Sequence, residues 1–277
     1  MSKALQRTLA NVDLGNPVNR AHPLTRGRVA WFLTLPGSWG GAKWRDLMAS
    51  GRFDGSLTAS PTWNIGTRPG GYGHMTFTGA NNVDLPALGI SGDSPRSAFM
   101  WIYSALGTRM ELISWGSPFA NQQCDLILNL TLSGGLYFTG FGNDIASTVA
   151  SVTASRWTHI GFTYSGGGVN TTSLKIYVNG LMISTSVAAG AGAALSTADA
   201  SYGIGYDRPQ APGNPFYYNG KMDDVGIWNV MLPPTQVAAL YAASKNGYPG
   251  MLNRWSKRTR YVSAFPTAKL LASTGVG

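Results

Sequence analysis

The sequence predicts an all-β protein, and three observations lead to this fold class. The 277 residues include 36 glycines and 15 prolines, and only 12% of them are charged, as in chains that turn often between short strands. Short apolar or alternating runs recur between clusters of turn residues such as 166–168, which is typical of a β-sandwich or barrel. Asn179 and Gly180 lie between two apolar runs and favour a type I′ turn, so residues 176–183 are predicted to form a hairpin.

The chain divides into short predicted strands with one predicted helix near each end. Leu5 and Leu9 have the spacing of one helical face, which predicts a short amphipathic helix over residues 4–14. Pro234 opens a second helix and Gly247 closes it. The predicted strands are residues 29–35, 75–77, 98–104, 112–115, 126–130, 135–141, 158–164, 174–178, 181–186, 202–205 and 223–228.

We expect one domain over residues 26–247, an N-terminal arm over 1–25 and a basic, extended C-terminal arm over 248–277. All-β sandwiches of this size commonly fold as one unit. No window approaches the roughly 20 apolar residues of a membrane span, and the N-terminus lacks the apolar stretch of a signal peptide. Cys124 is the single cysteine, so no disulfide forms within the chain. The expected site of synthesis is therefore a cytosol.

The charge of the chain is concentrated at its ends. Residues 1–28 hold five basic groups and one acidic group, and residues 225–277 hold six basic groups and no acidic group. Residues 29–224 are nearly neutral, with ten basic and eleven acidic groups. Basic terminal segments attached to a neutral body favour electrostatic attachment to an acidic surface over a role in solubility alone.

Both arms carry candidate partner-binding residues. A helix as short as the one over residues 4–14 is marginal alone in water, so its apolar side chains need a surface to lie on. The C-terminal arm interleaves cations with aromatic rings, which suits an acidic protein surface or nucleic acid; protein is favoured. The candidate partner-binding residues are Leu5, Leu9, Arg254, Trp255, Lys257, Arg258, Arg260 and Tyr261.

Six segments occur in an order that is typical of one family. They are GRVAWF at 27–32, RDL at 45–47 with FDGSLT at 53–58, MTFTGANNVDL at 75–85, RWTHIGFTY at 156–164, LKIYVNG at 174–180 and NGKMDDVGIWN at 219–229. Together they resemble the concanavalin A-like lectin/glucanase family, which includes laminin-G-like domains. The resemblance implies a jelly-roll β-sandwich of two antiparallel sheets, with the terminal helices and arms added to it.

Because the family includes glucanases, the carboxylates decide whether catalysis is expected. Glycoside hydrolysis needs two carboxyl groups close together, and the laminarinase-type pattern is E-x-D-x-x-E. Glu111 is the only glutamate, and no second carboxylate follows until Asp125. Asp223 and Asp224 are adjacent in a predicted strand, so they are expected on opposite faces. We therefore expect no catalytic residues and no enzyme, with His159 as a structural histidine.

We also expect no metal and no other cofactor. Calcium needs six or more oxygen ligands, several of them carboxylates. Asp46, Asp54 and Asp84 lie in segments that carry such ligands in some relatives, but only the Asp54 loop resembles a site, and Asx turns explain it better. No cluster of His, Cys or Asp has the spacing of zinc ligands.

Two functions remain open. The first is a structural role as a bacteriophage virion accessory protein, a capsid decoration or tail/fibre subunit attached through its arms to acidic virion proteins. Such a protein is expected to be a homo-oligomer or lattice subunit, made in the host cytoplasm and located in the virion, with no membrane partner. The alternative is a carbohydrate-binding module, and glycoside hydrolysis ranks third. The candidate glycan-binding residues are Trp39, Trp63, Tyr206, Tyr217 and Tyr218, with Trp44 beside them.

Overall fold

The computed structural model describes residues 18–35, 39–40, 42–48, 52–64, 66, 68–190, 192–209 and 216–252. Two antiparallel sheets face each other across one apolar core, so the predicted all-β sandwich is confirmed. The eight-stranded sheet contains β1 (Arg28–Phe32), β5 (Thr62–Asn64), β6 (His74–Thr78), β8 (Arg96–Ser104), β13 (Thr158–Tyr164), β14 (Leu174–Val178), β15 (Leu181–Met182) and β18 (Asn219–Trp228). The ten-stranded sheet contains β2 (Trp39–Gly40), β3 (Lys43–Trp44), β4 (Gly55–Thr58), β7 (Asn82–Leu85), β9 (Met110–Gly116), β10 (Gln123–Leu128), β11 (Leu136–Thr139), β12 (Asp144–Ser147), β16 (Thr185–Ala189) and β17 (Tyr202–Ile204).

The strand order shows how the chain moves between the two sheets. The eight-stranded sheet runs β15-β14-β13-β8-β18-β6-β5, and β1 pairs with β18. The ten-stranded sheet runs β16-β12-β11-β10-β9-β17-β7-β4-β3-β2. One strand predicted over 181–186 is in fact two, because β15 pairs with β14 in the first sheet and β16 pairs with β12 in the second.

The predicted hairpin is confirmed in detail. Tyr177 pairs with Met182 and Val178 with Leu181, which leaves Asn179 and Gly180 as the two turn residues. Their φ angles are 51° and 81°, both in the left-handed region that a type I′ turn requires. The local sequence alone therefore decides this turn.

The core lies between the sheets and follows the alternation of the strands. Ala98, Met100 and Ile102 of β8 point into it, as do Ile160 and Phe162 of β13. Alternate side chains of a strand point to opposite faces, so one face of each strand fills the core and the other face is left for a second layer or for solvent.

The outer face of the eight-stranded sheet is covered by a second apolar layer. Helix α1 (Pro234–Lys245) and a 3₁₀ turn at Pro23–Thr25 lie on this side. Trp101 of β8 donates its indole N–H to Ser244 Oγ at 3.0 Å and lies 5.7 Å from the Tyr241 ring, which fixes α1 against the sheet. In the described part of the chain, no helix is long and apolar enough to cross a bilayer.

The predicted ends of the domain need correction. Val18 pairs with Leu252, and Asn19 N–H donates to Met251 O at 2.8 Å. Val18, Tyr248 and Met251 are buried in the second apolar layer. Residues 18–25 and 248–252 therefore belong to the body rather than to the arms. The predicted helix over 4–14, with Leu5 and Leu9, and the candidate residues at 254–261 lie outside the described residues.

The expectation that Asp223 and Asp224 point to opposite faces is wrong. The register of β18 against β8 shifts between Asp223 and Gly226, and Asp224 has a φ of 60°. This bulge turns both carboxylates into the second layer, near Arg68. Burial raises the pKa of Asp224 to about 7, against the opposing effect of Arg68.

His159 of β13 is a buried structural residue in the same layer. Its ring stacks on Phe99 at 5.6 Å and lies 5.4 Å from Trp101, and its Nδ1 has no hydrogen-bond partner. Burial lowers the pKa of His159 to about 3, and the charges of Arg68 and Arg28 add to the effect. The imidazole is therefore neutral at ordinary pH.

Replacing His159 by Phe should reduce the acid sensitivity of the protein. The folded pKa lies below the unfolded value of about 6.5, so the unfolded state binds the extra proton as the pH falls through that value. Between pH 7 and pH 4 the wild type should lose about 3 kcal/mol of stability more than His159→Phe. Urea denaturation at several pH values measures the difference, and parallel curves for the two proteins would contradict a neutral buried imidazole.

Candidate functional site

The outer face of the ten-stranded sheet, called the open face below, is unusually acidic. It carries five of the twelve acidic residues of the chain, and their neighbours along the strands point into the core. Arg109 and Arg208 are the basic residues paired with these acids. The five acidic residues are Asp84, Glu111, Asp125, Asp144 and Asp207. This concentration of negative charge contrasts with the basic ends of the chain.

Three of these acids form the carboxylate cluster, which consists of Glu111, Asp125 and Asp207. One carboxylate oxygen from each lies within 4.8 Å of the others, and all three residues are fully buried. The side chain of Gln123 joins them, because its Nε2 donates to Asp207 Oδ1 at 3.1 Å and to Asp125 Oδ2. Arg109 donates from Nε to Glu111 Oε1 at 3.0 Å, and its Nη2 lies 3.6 Å from Asp207 Oδ2.

Strand register brings the cluster together. Glu111 of β9 pairs with Ile127 of β10, and Asp125 is two residues before Ile127 on the same face. Glu111 and Asp125 are therefore diagonal neighbours across adjacent strands. Asp207 follows β17, and the hydroxyl of Ser114 holds its flanking backbone by accepting from Arg208 N and donating to Tyr206 O, both at 2.9 Å.

Burial and neighbouring carboxylates disfavour the charged forms of the acids in the cluster. Burial raises the pKa of Glu111 to about 8; Arg109 opposes this shift and Asp207 adds to it. Burial also raises the pKa of Asp125 well above its usual range, and the charges of Glu111 and Asp207 add to the effect. Arg109 contacts the carboxyl groups of Glu111 and Asp207, and burial disfavours the charged forms of Glu111 and Asp125, so a further positive charge in the cluster would be favourable.

A cleft of about 440 Å³ lies beside the cluster on the same face. Asp144 in the cleft accepts hydrogen bonds from the Tyr137 hydroxyl at 2.8 Å and from Thr139 Oγ1 at 2.6 Å. Arg109 belongs to both the cleft and the cluster. The lining residues are Arg109, Ala120, Ile127, Leu130, Tyr137, Thr139, Phe141, Gly142 and Asp144.

Phe141 stands at the cleft in a strained backbone conformation. Its φ is 64°, a value that bulky residues rarely adopt and that costs roughly 1–3 kcal/mol. Its N–H donates to Thr139 Oγ1 at 2.8 Å, and its carbonyl accepts from Asn121 N at 3.3 Å. The ring is nevertheless 39% exposed, so the strain is not offset by full burial of the side chain. Strain of this kind concentrates at ligand-binding sites.

Residues 77–238 match the family model of the concanavalin A-like lectin/glucanases superfamily. The chain belongs to this superfamily. The match covers more than half of the chain, including the strands that form the cleft and the cluster. No curated protein matches the chain by sequence.

Solved structures share the superfamily fold at low sequence identity. Domain 4 of AbnA, an extracellular arabinanase of family GH43 from Geobacillus stearothermophilus solved with arabinotriose, is 18% identical with a TM-score of 0.56, over 77% of this chain and 98% of that domain. A Trypanosoma rangeli sialidase is 16% identical with a TM-score of 0.53, but the match covers 87% of this chain and 38% of the sialidase. The binding domain of botulinum neurotoxin serotype D/C is 14% identical with a TM-score of 0.50, over 80% of this chain and 53% of that domain. These likenesses show the fold alone.

The expectation that the body lacks a close carboxylate pair is wrong. The expected sign of a glucanase was a set of acidic residues on one strand. Here Glu111 and Asp125 meet across two strands, and Asp207 joins them from a distant loop. A signal was present, because Glu111 and Asp125 each interrupt an otherwise apolar strand sequence. An acid in the middle of an apolar strand needs a partner on the outer face.

Two of the aromatic residues considered for glycan binding are core residues. Tyr218 is fully buried, and its hydroxyl donates to the carbonyls of Tyr103 and Lys221, each at 3.0 Å. Trp44 is also fully buried. Neither ring can stack on a ligand from solvent, so both assignments are wrong.

The other aromatic candidates are not brought together into a platform. Tyr206 is only 3% exposed, and its hydroxyl donates to Asp84; Tyr217 stacks on it at 5.8 Å. Trp63 is half-buried and packs edge-on against the core, and Trp39 is described only as part of β2. Tyr206, Tyr217 and Trp63 do not line the cleft.

The loop carboxylates considered for calcium act as local hydrogen-bond acceptors. Asp46 Oδ1 accepts from the backbone N–H groups of Trp31 and Met48, both at 2.9 Å. Asp54 Oδ1 accepts from Asp46 N at 2.9 Å. The contact of Asp46 with Met48 N–H is an Asx turn, whereas the Asx turn was predicted for the Asp54 loop.

Replacing Arg109 by Gln should destabilise the protein by about 3 kcal/mol, because the buried carboxyl groups of Glu111 and Asp207 would lose the guanidinium that contacts them. Urea denaturation in buffer with EDTA measures the change. The matched control is Arg208→Gln, whose side chain is 43% exposed and pairs with Asp84 at 3.1 Å, and which should cost less than about 1 kcal/mol. Adding Glu111→Gln to Arg109→Gln should recover part of the loss, and strict additivity would contradict direct coupling.

Proposed function

We propose that this protein is a non-catalytic binding protein whose cleft recognises a carbohydrate. The observation that carries the proposal is Phe141, an exposed aromatic ring held in a strained backbone conformation at the cleft. Binding sites combine an apolar wall with a few placed polar groups, and this cleft has that composition.

The chemistry of the cleft suits a sugar. Phe141 and Leu130 are exposed at the cleft and form apolar surface, on which the C–H face of a sugar ring can pack. Asp144 and Arg109 offer an acceptor and a donor for hydroxyl groups.

The geometry of the carboxylate cluster supports binding over hydrolysis. Retaining glycosidases hold two carboxyl groups about 5 Å apart with the sugar between them. The oxygens of Glu111 and Asp125 are within 4.8 Å, but both residues are fully buried and Arg109 and Gln123 contact them. A sugar cannot lie between these carboxyl groups in this arrangement.

Replacing Phe141 by Gly should separate binding from stability. Glycine adopts a φ of 64° without strain, so the melting temperature should stay equal or rise. Loss of ring stacking should weaken glycan binding about tenfold or more. Isothermal titration with arabino-oligosaccharides, the class of ligand bound to the arabinanase domain, is the first measurement, followed by a glycan array.

Two variants control for location. Leu181→Ala removes an apolar side chain that is more exposed than Phe141, 71% against 39%, from the edge of the other sheet and should leave binding unchanged. Trp63→Ala tests the aromatic residue outside the cleft and should also have no effect. If Trp63→Ala weakens glycan binding and Phe141→Gly does not, the binding site lies outside the cleft. Absence of wild-type binding to any arrayed glycan at millimolar concentration would refute carbohydrate recognition.

We propose in addition that the protein acts as a bacteriophage virion accessory subunit, either capsid decoration or part of a tail or fibre. The supporting observation is the charge of residues 253–277, which follow the body and contain five basic and no acidic groups. In this proposal the basic segment attaches a homo-oligomer or lattice subunit to an acidic surface of another virion protein.

Deleting residues 253–277 should abolish incorporation into particles and leave the body folded. The shortened chain keeps Tyr248, Met251 and Leu252 in the second apolar layer, so its melting temperature should match that of the full chain. A variant with Arg254, Lys257, Arg258 and Arg260 changed to Gln tests charge without changing length. Mass spectrometry of purified phage particles measures incorporation. Full incorporation of both variants, or absence of the wild-type chain from particles, would refute the attachment role.

A further inference from the structure

Three buried oxygens in and beside the carboxylate cluster have no hydrogen-bond donor. They are Glu111 Oε2, Asp125 Oδ1 and Gln123 Oε1, and each of these residues is fully buried. A buried acceptor without a donor is costly, and several of them in one place favour a cation among them.

Gln123 is an independent sign of a ligand, because its amide lies fully buried against the acids and its oxygen has no donor. Its Nε2 donates to Asp125 and Asp207, while its Oε1 lies buried without a partner. Rotating the amide by half a turn would exchange the two atoms and bring Oε1 to face the carboxylates. That arrangement is repulsive alone and favourable around a cation.

The chemistry of the oxygens indicates the class of cation. Oxygens of Glu111, Asp125 and Asp207 lie close enough together to hold one ion. Calcium accepts carboxylate and amide oxygens in irregular arrangements, whereas magnesium requires near-ideal octahedral geometry and loses its waters reluctantly. A site whose ligands are fixed by strand register therefore favours calcium. An all-oxygen ligand set also excludes a preference for zinc or copper.

We propose that the carboxylate cluster binds one calcium ion through oxygens of Glu111, Asp125, Asp207 and Gln123. Solvent would complete the coordination. This site differs from the loops around Asp46, Asp54 and Asp84, whose oxygens already accept hydrogen bonds from backbone or side-chain donors.

Arg109 competes with the ion for the same oxygens. Its Nη2 contacts Glu111 Oε1 and lies 3.6 Å from Asp207 Oδ2, and its side chain is 23% exposed. Calcium binding therefore displaces the guanidinium from the cluster. Because Arg109 also lines the cleft, the displaced group has a place to go on the same face. The calcium proposal does not rest on the proposed carbohydrate binding, although Arg109 belongs to both sites.

Titration of the full chain with calcium tests the inference. Protein stripped with EDTA and dialysed free of it should bind one calcium per chain by isothermal titration calorimetry. Calcium at a hundredfold excess over Kd should raise the melting temperature by about 5–10 °C. Magnesium at equal concentration should raise it far less. Since no sugar is present, the result is independent of glycan binding.

Matched variants assign the site. Glu111→Gln and Asp125→Asn, checked for folding by near-ultraviolet circular dichroism, should each weaken calcium binding at least tenfold, whereas Asp54→Asn should leave it unchanged. Arg109→Gln should tighten binding at least threefold, because it removes the competing cation. The inference is overturned if the wild type shows no calcium response. It is equally overturned if Asp54→Asn alone abolishes the response, if Arg109→Gln weakens binding, or if magnesium binds as well as calcium.

Discussion

The bulge in β18 is the constraint on which the second layer of this structure depends. It directs the carboxylates of Asp223 and Asp224 away from the sandwich core and toward Arg68. All four carboxylate oxygens then receive donors. Asp223 accepts from Thr34 N and from Arg68 Nε, and Asp224 accepts from Trp31 Nε1 and the Tyr248 hydroxyl. One short irregularity thereby ties β1, the segment before β6 and the C-terminal part of the body to the central strand.

On the open face, buried acidic side chains are incompletely hydrogen-bonded. In the carboxylate cluster, one oxygen of Glu111 and one of Asp125 lack donors, and Arg109 contacts both Glu111 and Asp207. Buried charges that are fully paired hold a structure together, whereas incompletely paired ones store unfavourable energy. The carboxylate oxygens without donors and the adjoining cleft are the physical reason for placing function on the ten-stranded sheet, although buried nitrogens of Arg28 and Arg68 in the second layer also lack acceptors.

Arg109 links the two features of that face. It neutralises the cluster, stacks over Phe216 at 3.8 Å and lines the cleft beside Asp144. A change in the charge of the cluster therefore alters the forces on a side chain of the cleft. Phe141 adds backbone strain at the same cleft. The incompletely paired carboxylates and the strained backbone therefore both lower stability where a ligand would be held.

The sequence by itself determined the fold class, the Asn179–Gly180 hairpin and α1, because turn chemistry, strand alternation and helix ends act between near neighbours. It also contained the ordered motifs by which the superfamily was recognised. It did not determine the boundary of the body, since the pairing of Val18 with Leu252 joins residues from the two ends of the described chain.

Only the tertiary structure decided the site. Cross-strand register and a distant loop bring together Glu111, Asp125 and Asp207. Phe141 is a candidate binding residue only because the fold places it at the cleft. Tyr218 looked accessible from its sequence context but lies in the core, because the register of β18 and its flanking bridge sets which face it meets. Local sequence predicts which strands form, while the register between strands decides which side chains meet.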